Sequence, residues 1–142
     1  MIHKEKGSIG MAVLILLCVL AAAGISMTAA VSRIGRETES YRRGIQASYA
    51  AEGGAVWGLS FLKKYGIPAE KKWEISLDEN QKAEIYFLPP EGENISSDEG
   101  GILLSKGIEK TSGTARYVKL SFSAVRKESV FLVTVHQAES EP

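Results

Sequence analysis

From Ser8 to Ser32 the chain carries no charged side chain, and most of its residues there are apolar. A helix over this stretch spans roughly 35 Å at about 1.5 Å per residue, more than the hydrocarbon core of a bilayer. Beyond Ser32 the pattern changes character without stopping. Ile34, Tyr41, Ile45, Tyr49, Val56, Leu59 and Leu62 recur mainly at spacings of three, four or seven, which places them on one helical face. Arg33, Arg36, Glu37, Glu39, Arg42 and Arg43 fall between them. No proline interrupts Met1 to Ile67, and Gly66 followed by Pro68 supplies a stop. The pattern predicts one helix from about Ile9 to Tyr65, on the order of 85 Å long. Its first half is apolar all round and its second half is amphipathic.

After Gly66 the period shortens to two. Trp73–Leu77 and Ala83–Leu88 are short apolar-rich runs separated by the turn-like Asp78-Glu79-Asn80-Gln81, a first hairpin. Tyr117–Val125 alternates, with Val118, Leu120, Phe122 and Ala124 on one face and Lys119, Ser121 and Ser123 on the other. Val130–His136 is a further strand, and Arg126-Lys127-Glu128-Ser129 is of hairpin length. Between the hairpins, Pro89 to Gly113 reads as a long loop interrupted by the short run Ile102–Leu104. A ribbon of two strands is marginal alone, so the face from Ile34 to Leu62 is expected to lie across the sheet as the second core layer. The predicted class is α+β: a long N-terminal helix packed on a small antiparallel β-sheet.

Length and charge narrow the function. With 142 residues, and about 110 beyond the apolar segment, there is room for one small folded unit. The 17 Lys and Arg balance 17 Asp and Glu, so the basic footprint of a nucleic-acid binder is missing. Cys18 is the single cysteine and lies in the apolar segment, which excludes an intrachain disulfide and a cysteine-based zinc site. His3 and His136 sit near opposite ends, and the sequence has no phosphate-binding glycine loop, HExxH or CxxC. Neither catalysis nor a cofactor is expected. Glu91, Glu93, Asp98 and Glu99 could gather around calcium, but their spacing fits no loop motif and a solvated acidic loop is the plainer reading. Asn94-Ile95-Ser96 matches a glycosylation triplet of the kind that arises by chance.

Residues 1–32 admit three readings. A secretory signal peptide would place its apolar region near Met11–Leu20 and be cut near Ala21-Ala22-Ala23 or Thr28-Ala29-Ala30. A plain anchor needs only the apolar length. A prepilin-type leader would be cut after Gly7 and leave the apolar segment in the mature chain. The continuation of the helix past Ser32 favours a stem over a removable signal.

Two segments carry a resemblance. Lys6-Gly7-Ser8 precedes Met11-Ala12-Val13-Leu14-Ile15-Leu16-Leu17, and about 40 residues later comes Ile45-Gln46-Ala47-Ser48-Tyr49-Ala50-Ala51-Glu52-Gly53-Gly54-Ala55. Over about its first 65 residues the chain resembles the stem of type IV pilin-like proteins, most closely PilX-type minor pilins and GspK-type secretion pseudopilins. The resemblance implies cleavage between Gly7 and Ser8 by a prepilin peptidase, with methylation of the new terminus on Ser8. It divides the chain into a leader at 1–7, a transmembrane half-helix at 8–32, an amphipathic half-helix at 33–65 and a β-rich head at 66–142 with a loop at about 89–113. The resemblance also implies that Lys4 and Lys6 stay cytoplasmic, that the head lies outside, and that the chain is a single-pass protein of the cytoplasmic membrane. The implied partners are other pilins or pseudopilins, the peptidase and an inner-membrane assembly platform.

One departure matters. Most pilins carry Glu as the fifth mature residue, where it pairs with the terminal amine of a neighbour among apolar helices, and here that position is Ala12. A stem without this pair suits an initiating or tip-proximal minor subunit better than a repeating one. Ala22, Ser26 and Ala30, spaced by four, would let stems approach closely, and Glu52 is a candidate contact to a neighbour. Gly35, Gly44, Gly53, Gly54 and Gly58 each cost up to about 1 kcal/mol in a helix interior, which points to close packing or a stem that bends. The competing class is an anchored or Sec-secreted envelope domain that binds a partner and never polymerises.

Overall fold

The computed structural model describes residues 3–90 and 99–141, with side chains from Gly10 onward. Helix α1 runs His3–Tyr65, and five strands follow: β1 (Lys72–Ser76), β2 (Gln81–Leu88), β3 (Gly100–Glu109), β4 (Ala115–Lys127) and β5 (Val130–Glu141). Contacts divide the chain into two units, Met1–Ser40 and Tyr41–Pro142.

In the first unit α1 holds the stretch that is long and apolar enough to cross a membrane, and none of its apolar window is buried by protein. Two of its hydroxyls are turned back onto the helix. Ser26 Oγ donates to the Ala22 carbonyl and Thr28 Oγ1 to the Gly24 carbonyl, both at 2.9 Å. Each hydroxyl is thereby satisfied without water, the usual solution for Ser and Thr in an apolar helix. Charge returns with the Arg33–Glu37 pair, 3.2 Å apart at i,i+4.

The second unit is α+β: the helix from Tyr41 to Tyr65 packs on an antiparallel sheet in the order β1-β2-β3-β4-β5. Every connection is a hairpin between sequence neighbours, so each strand pairs with those before and after it. The helix stops at Gly66, whose φ of 77° suits glycine and whose N–H bonds the Leu62 carbonyl at 2.9 Å. The first hairpin turns at Asp78–Asn80 and the last at Glu128-Ser129, both inside the polar clusters that predicted them.

Two expectations need correction. Gly100–Glu109, within the predicted loop, is the central strand of the sheet, bonded to β2 on one side and β4 on the other. Its apolar pattern is diluted by Gly100, Gly101, Ser105 and Gly107, which is why only Ile102–Leu104 stood out. The second correction concerns the helix face. Ile34, Tyr41, Tyr49 and Val56 are 61%, 72%, 66% and 64% exposed, so four of the seven residues expected to cover the sheet face solvent, whereas Leu62 is buried in the core and Leu59 packs against it. The buried face consists of Gly44, Ala47, Ala50, Ala51, Gly54, Ala55, Gly58 and Leu62.

These small residues bring the helix backbone down onto the sheet. A Cβ at Gly107 would overlap the Ala47 carbonyl oxygen and the Ala51 nitrogen, both main-chain atoms. One at Gly58 would strike the Leu103 side chain, and one at Gly54 would meet Ser105 Oγ and Ala83 Cβ. The helical glycines thus exchange propensity for proximity to β2 and β3. Larger side chains fill the space on either side: Ile85, Phe87, Leu103, Leu120 and Phe122 form the core with Leu62. Near the end of the helix Trp57, Phe61, Trp73 and Phe87 interlock at centroid distances of 5.2–6.2 Å, each such pair contributing about 0.5–1.5 kcal/mol beyond its buried area.

The β3–β4 turn is built around Glu109, 3% exposed. Its carboxylate accepts the N–H groups of Thr111 (2.9 Å) and Ser112 (2.8 Å) and the Ser112 hydroxyl. These donors, the Ser112 hydroxyl first, hold the carboxyl down at about 2, below its ordinary 4.5. A depressed acid stabilises the fold fully above its unfolded-state value and loses that contribution as pH falls toward the folded one. The thermal midpoint of Glu109→Gln is therefore expected to lie below wild type at pH 6. The gap should shrink below pH of about 4.5 and close near pH 2. A gap constant across that range removes Glu109 from the account.

Candidate functional site

Unit one presents a helix with exposed apolar side chains around its circumference, Met11, Leu14, Leu16, Leu20, Ile25 and Met27 among them. Ala12, Ala22, Ser26 and Ala30 are exposed on this helix, as is Cys18. The processing positions Lys4, Lys6, Gly7 and Ser8 fall within the helical backbone of α1, and their side chains lie outside the described residues.

In the head, the helix carries two apolar faces. The glycine–alanine face is spent on its own sheet. The other, with Tyr41, Tyr49 and Val56, remains open. Of the four alanines in the patch that carries the family resemblance, Ala47, Ala50 and Ala51 are 0% exposed and Ala55 5%, and all pack inside the chain. Sequence reasoning missed this division because it ranked faces by hydrophobic bulk. The usable signal was the recurrence of Gly or Ala at Gly44, Ala47, Ala51, Gly54 and Gly58, at spacings of three and four.

Glu52, the candidate contact, is exposed at the rim of a cleft of about 260 Å³ lined also by Ser48, Arg116, Tyr117, Ser140 and Glu141. Arg116 reaches the helix where Gly44 leaves room, its Nη2 3.2 Å from the place a Cβ would occupy. The cleft brings cation, carboxylates and hydroxyls together from α1, β4 and β5, which sequence separation had concealed. The outer face of β1 and β2 is a charge ladder: Lys82 lies 3.4 Å from both Glu74 and Glu84. Tyr86 donates its hydroxyl to Glu84 at 2.8 Å, which with the lysines holds that carboxyl below its usual range.

Ser123 and His136, on neighbouring strands, share a hydrogen bond of 2.9 Å on the exposed sheet surface. Of the four calcium candidates, Glu91, Glu93 and Asp98 lie outside the described residues, and Glu99 is exposed in the turn before β3. Among the described residues no three His, Cys, Asp or Glu side chains gather as metal ligands do.

Comparison with protein-family profiles, curated proteins and solved structures returns no match. The class defined by the fold is thus an α+β protein whose long N-terminal helix includes a stretch able to span a membrane.

Proposed function

We propose that this chain is a minor pilin or pseudopilin-like subunit whose work is assembly: anchored in the cytoplasmic membrane with its head outside, it packs its stem against the stems of sibling subunits. The observation that carries this reading is the second apolar face of α1. Tyr41, Tyr49 and Val56 stay exposed after the sheet has been covered, on the same helix that holds the exposed apolar stretch. Exposing large apolar side chains on a continuous helix is costly to a monomer and suits a helix that meets other helices. Ala12, lacking the carboxylate that would pair with a neighbour's amine, favours an initiating or tip-proximal place over a repeating one. The machine, whether a type IV pilus, a type II secretion system or a DNA-uptake filament, supplies the peptidase, the platform and the energy for extraction from lipid.

Mass spectrometry of the mature amino terminus tests the reading. A start at methylated Ser8 is expected, and a bulky replacement of Gly7 should abolish processing. A start near Gly24 or Val31 would mean secretion, and a retained Met1 would mean a plain anchor. Either of these would return the chain to the class of non-polymerising envelope domains.

A further inference from the structure

Among the described residues the sheet has two open edges, and they are not equivalent. β1 is five residues long, and Lys71 and Lys72 stand at its start. β5 is 12 residues long, pairs with β4 alone among the described strands and contains no Lys, Arg or Pro. Natural sheets guard long edges with short strands, lysines, prolines or bulges, because an edge is a row of unpaired N–H and C=O groups. One bulge interrupts the β4–β5 register: Ser121 and Phe122 of β4 face Gln137 and Val135, which leaves His136 of β5 unpaired and the stretch Val130–Val135 before it regular. The first half of β5, Val130-Phe131-Leu132-Val133-Thr134-Val135, is rich in β-branched residues, with Val130 and Leu132 exposed.

From this we infer that the free edge of β5 accepts an added strand from a different polypeptide, running antiparallel, apolar where it meets Val130–Val135 and basic where it meets Glu139 and Glu141. The polarity of β5 itself selects this partner. Glu139 and Glu141 pair across the ladder with Lys119 and Tyr117, Glu141 also lines the cleft with Arg116, and the end of β5 itself carries two acids and no lysine or arginine. An antiparallel partner therefore needs its cations near its N-terminus. A second copy of this chain fits poorly. β5 laid antiparallel on β5 sets the apolar half against the acidic half, and β1 covers less than half of β5's length. Main-chain bonds would supply the affinity, and the charge gradient would fix direction and register. The inference concerns the head alone and does not depend on whether Gly7 is a processing site.

The test uses the full chain in detergent micelles and a synthetic peptide, acetyl-Lys-Thr-Lys-Thr-Val-Thr-Val-Thr-Val-amide, with the same residues in reverse order as control. Saturable binding of the forward peptide is expected, with slowed amide exchange confined to β5. The reversed peptide should bind about fivefold more weakly, since its lysines fall on the apolar half of β5 and not on Glu139 and Glu141. Replacing Glu139 and Glu141 by Lys should weaken the forward peptide about tenfold and restore it for a peptide with Glu in place of Lys. Protection absent with both peptides, equal binding in both orders, or protection elsewhere would overturn the inference. Concentration-dependent protection of β5 without peptide would assign the edge to a second copy and overturn it as well.

Discussion

Gly107→Ala is expected to destabilise the head by about 3 kcal/mol or more, because an added Cβ there makes the tightest overlap among the described glycines. The new Cβ would occupy space held by the Ala47 carbonyl oxygen and the Ala51 nitrogen. A side chain can rotate away from such an overlap, but a helix backbone has to move as a whole. Moving the helix off β3 opens gaps around Leu62, Leu103 and Ile85, all 0% exposed, and gaps in a close-packed core forfeit contact energy outright. Trp57 and Trp73, the only tryptophans, belong to one aromatic cluster between helix and sheet, so their fluorescence reports the separation directly. Denaturant unfolding of the full chain in detergent should show the midpoint collapsing for Gly107→Ala. Gly35→Ala, where nothing lies within 4 Å, should leave the head's midpoint unchanged. A Gly107→Ala midpoint within error of wild type would show that helix and sheet are not in this contact.

The same contact explains what could be read in advance. Helix α1 was legible because apolar composition, absent prolines and the Gly66 stop all agree. The β4–β5 hairpin was legible because Val118, Leu120, Phe122 and Ala124 alternate cleanly with polar residues. β3 was not, because its contact with the helix demands smallness at Ser105 and Gly107, and small residues erase the alternation by which a strand is recognised. The helix face was misassigned in part: Gly44, Gly54 and Gly58 pointed to close packing, but bulk ranked Tyr49 and Val56 above the glycine–alanine face that the sheet covers. The Glu52 cleft needed tertiary structure, because Ser48, Arg116 and Glu141 meet only after the sheet has formed.

Tyr49→Lys combined with Val56→Lys should separate folding from assembly. Were these residues core, as bulk and spacing suggested, two buried ammonium groups would unfold the head. Because both are exposed, the head's unfolding midpoint should stay within about 0.5 kcal/mol of wild type. Packing against sibling helices should fail, since each large side chain contributes about 1.5–3 kcal/mol on burial and each lysine would bring a charge into the contact. Incorporation, followed by cross-linking to co-expressed sibling subunits in membranes, should fall about a hundredfold or more, in line with 3 kcal/mol or greater. Wild-type incorporation by this variant would leave the open face of α1 without a role and remove the observation on which the assembly reading stands. A parallel loss of head stability would instead place Tyr49 and Val56 inside the fold, contrary to their exposure of 66% and 64%.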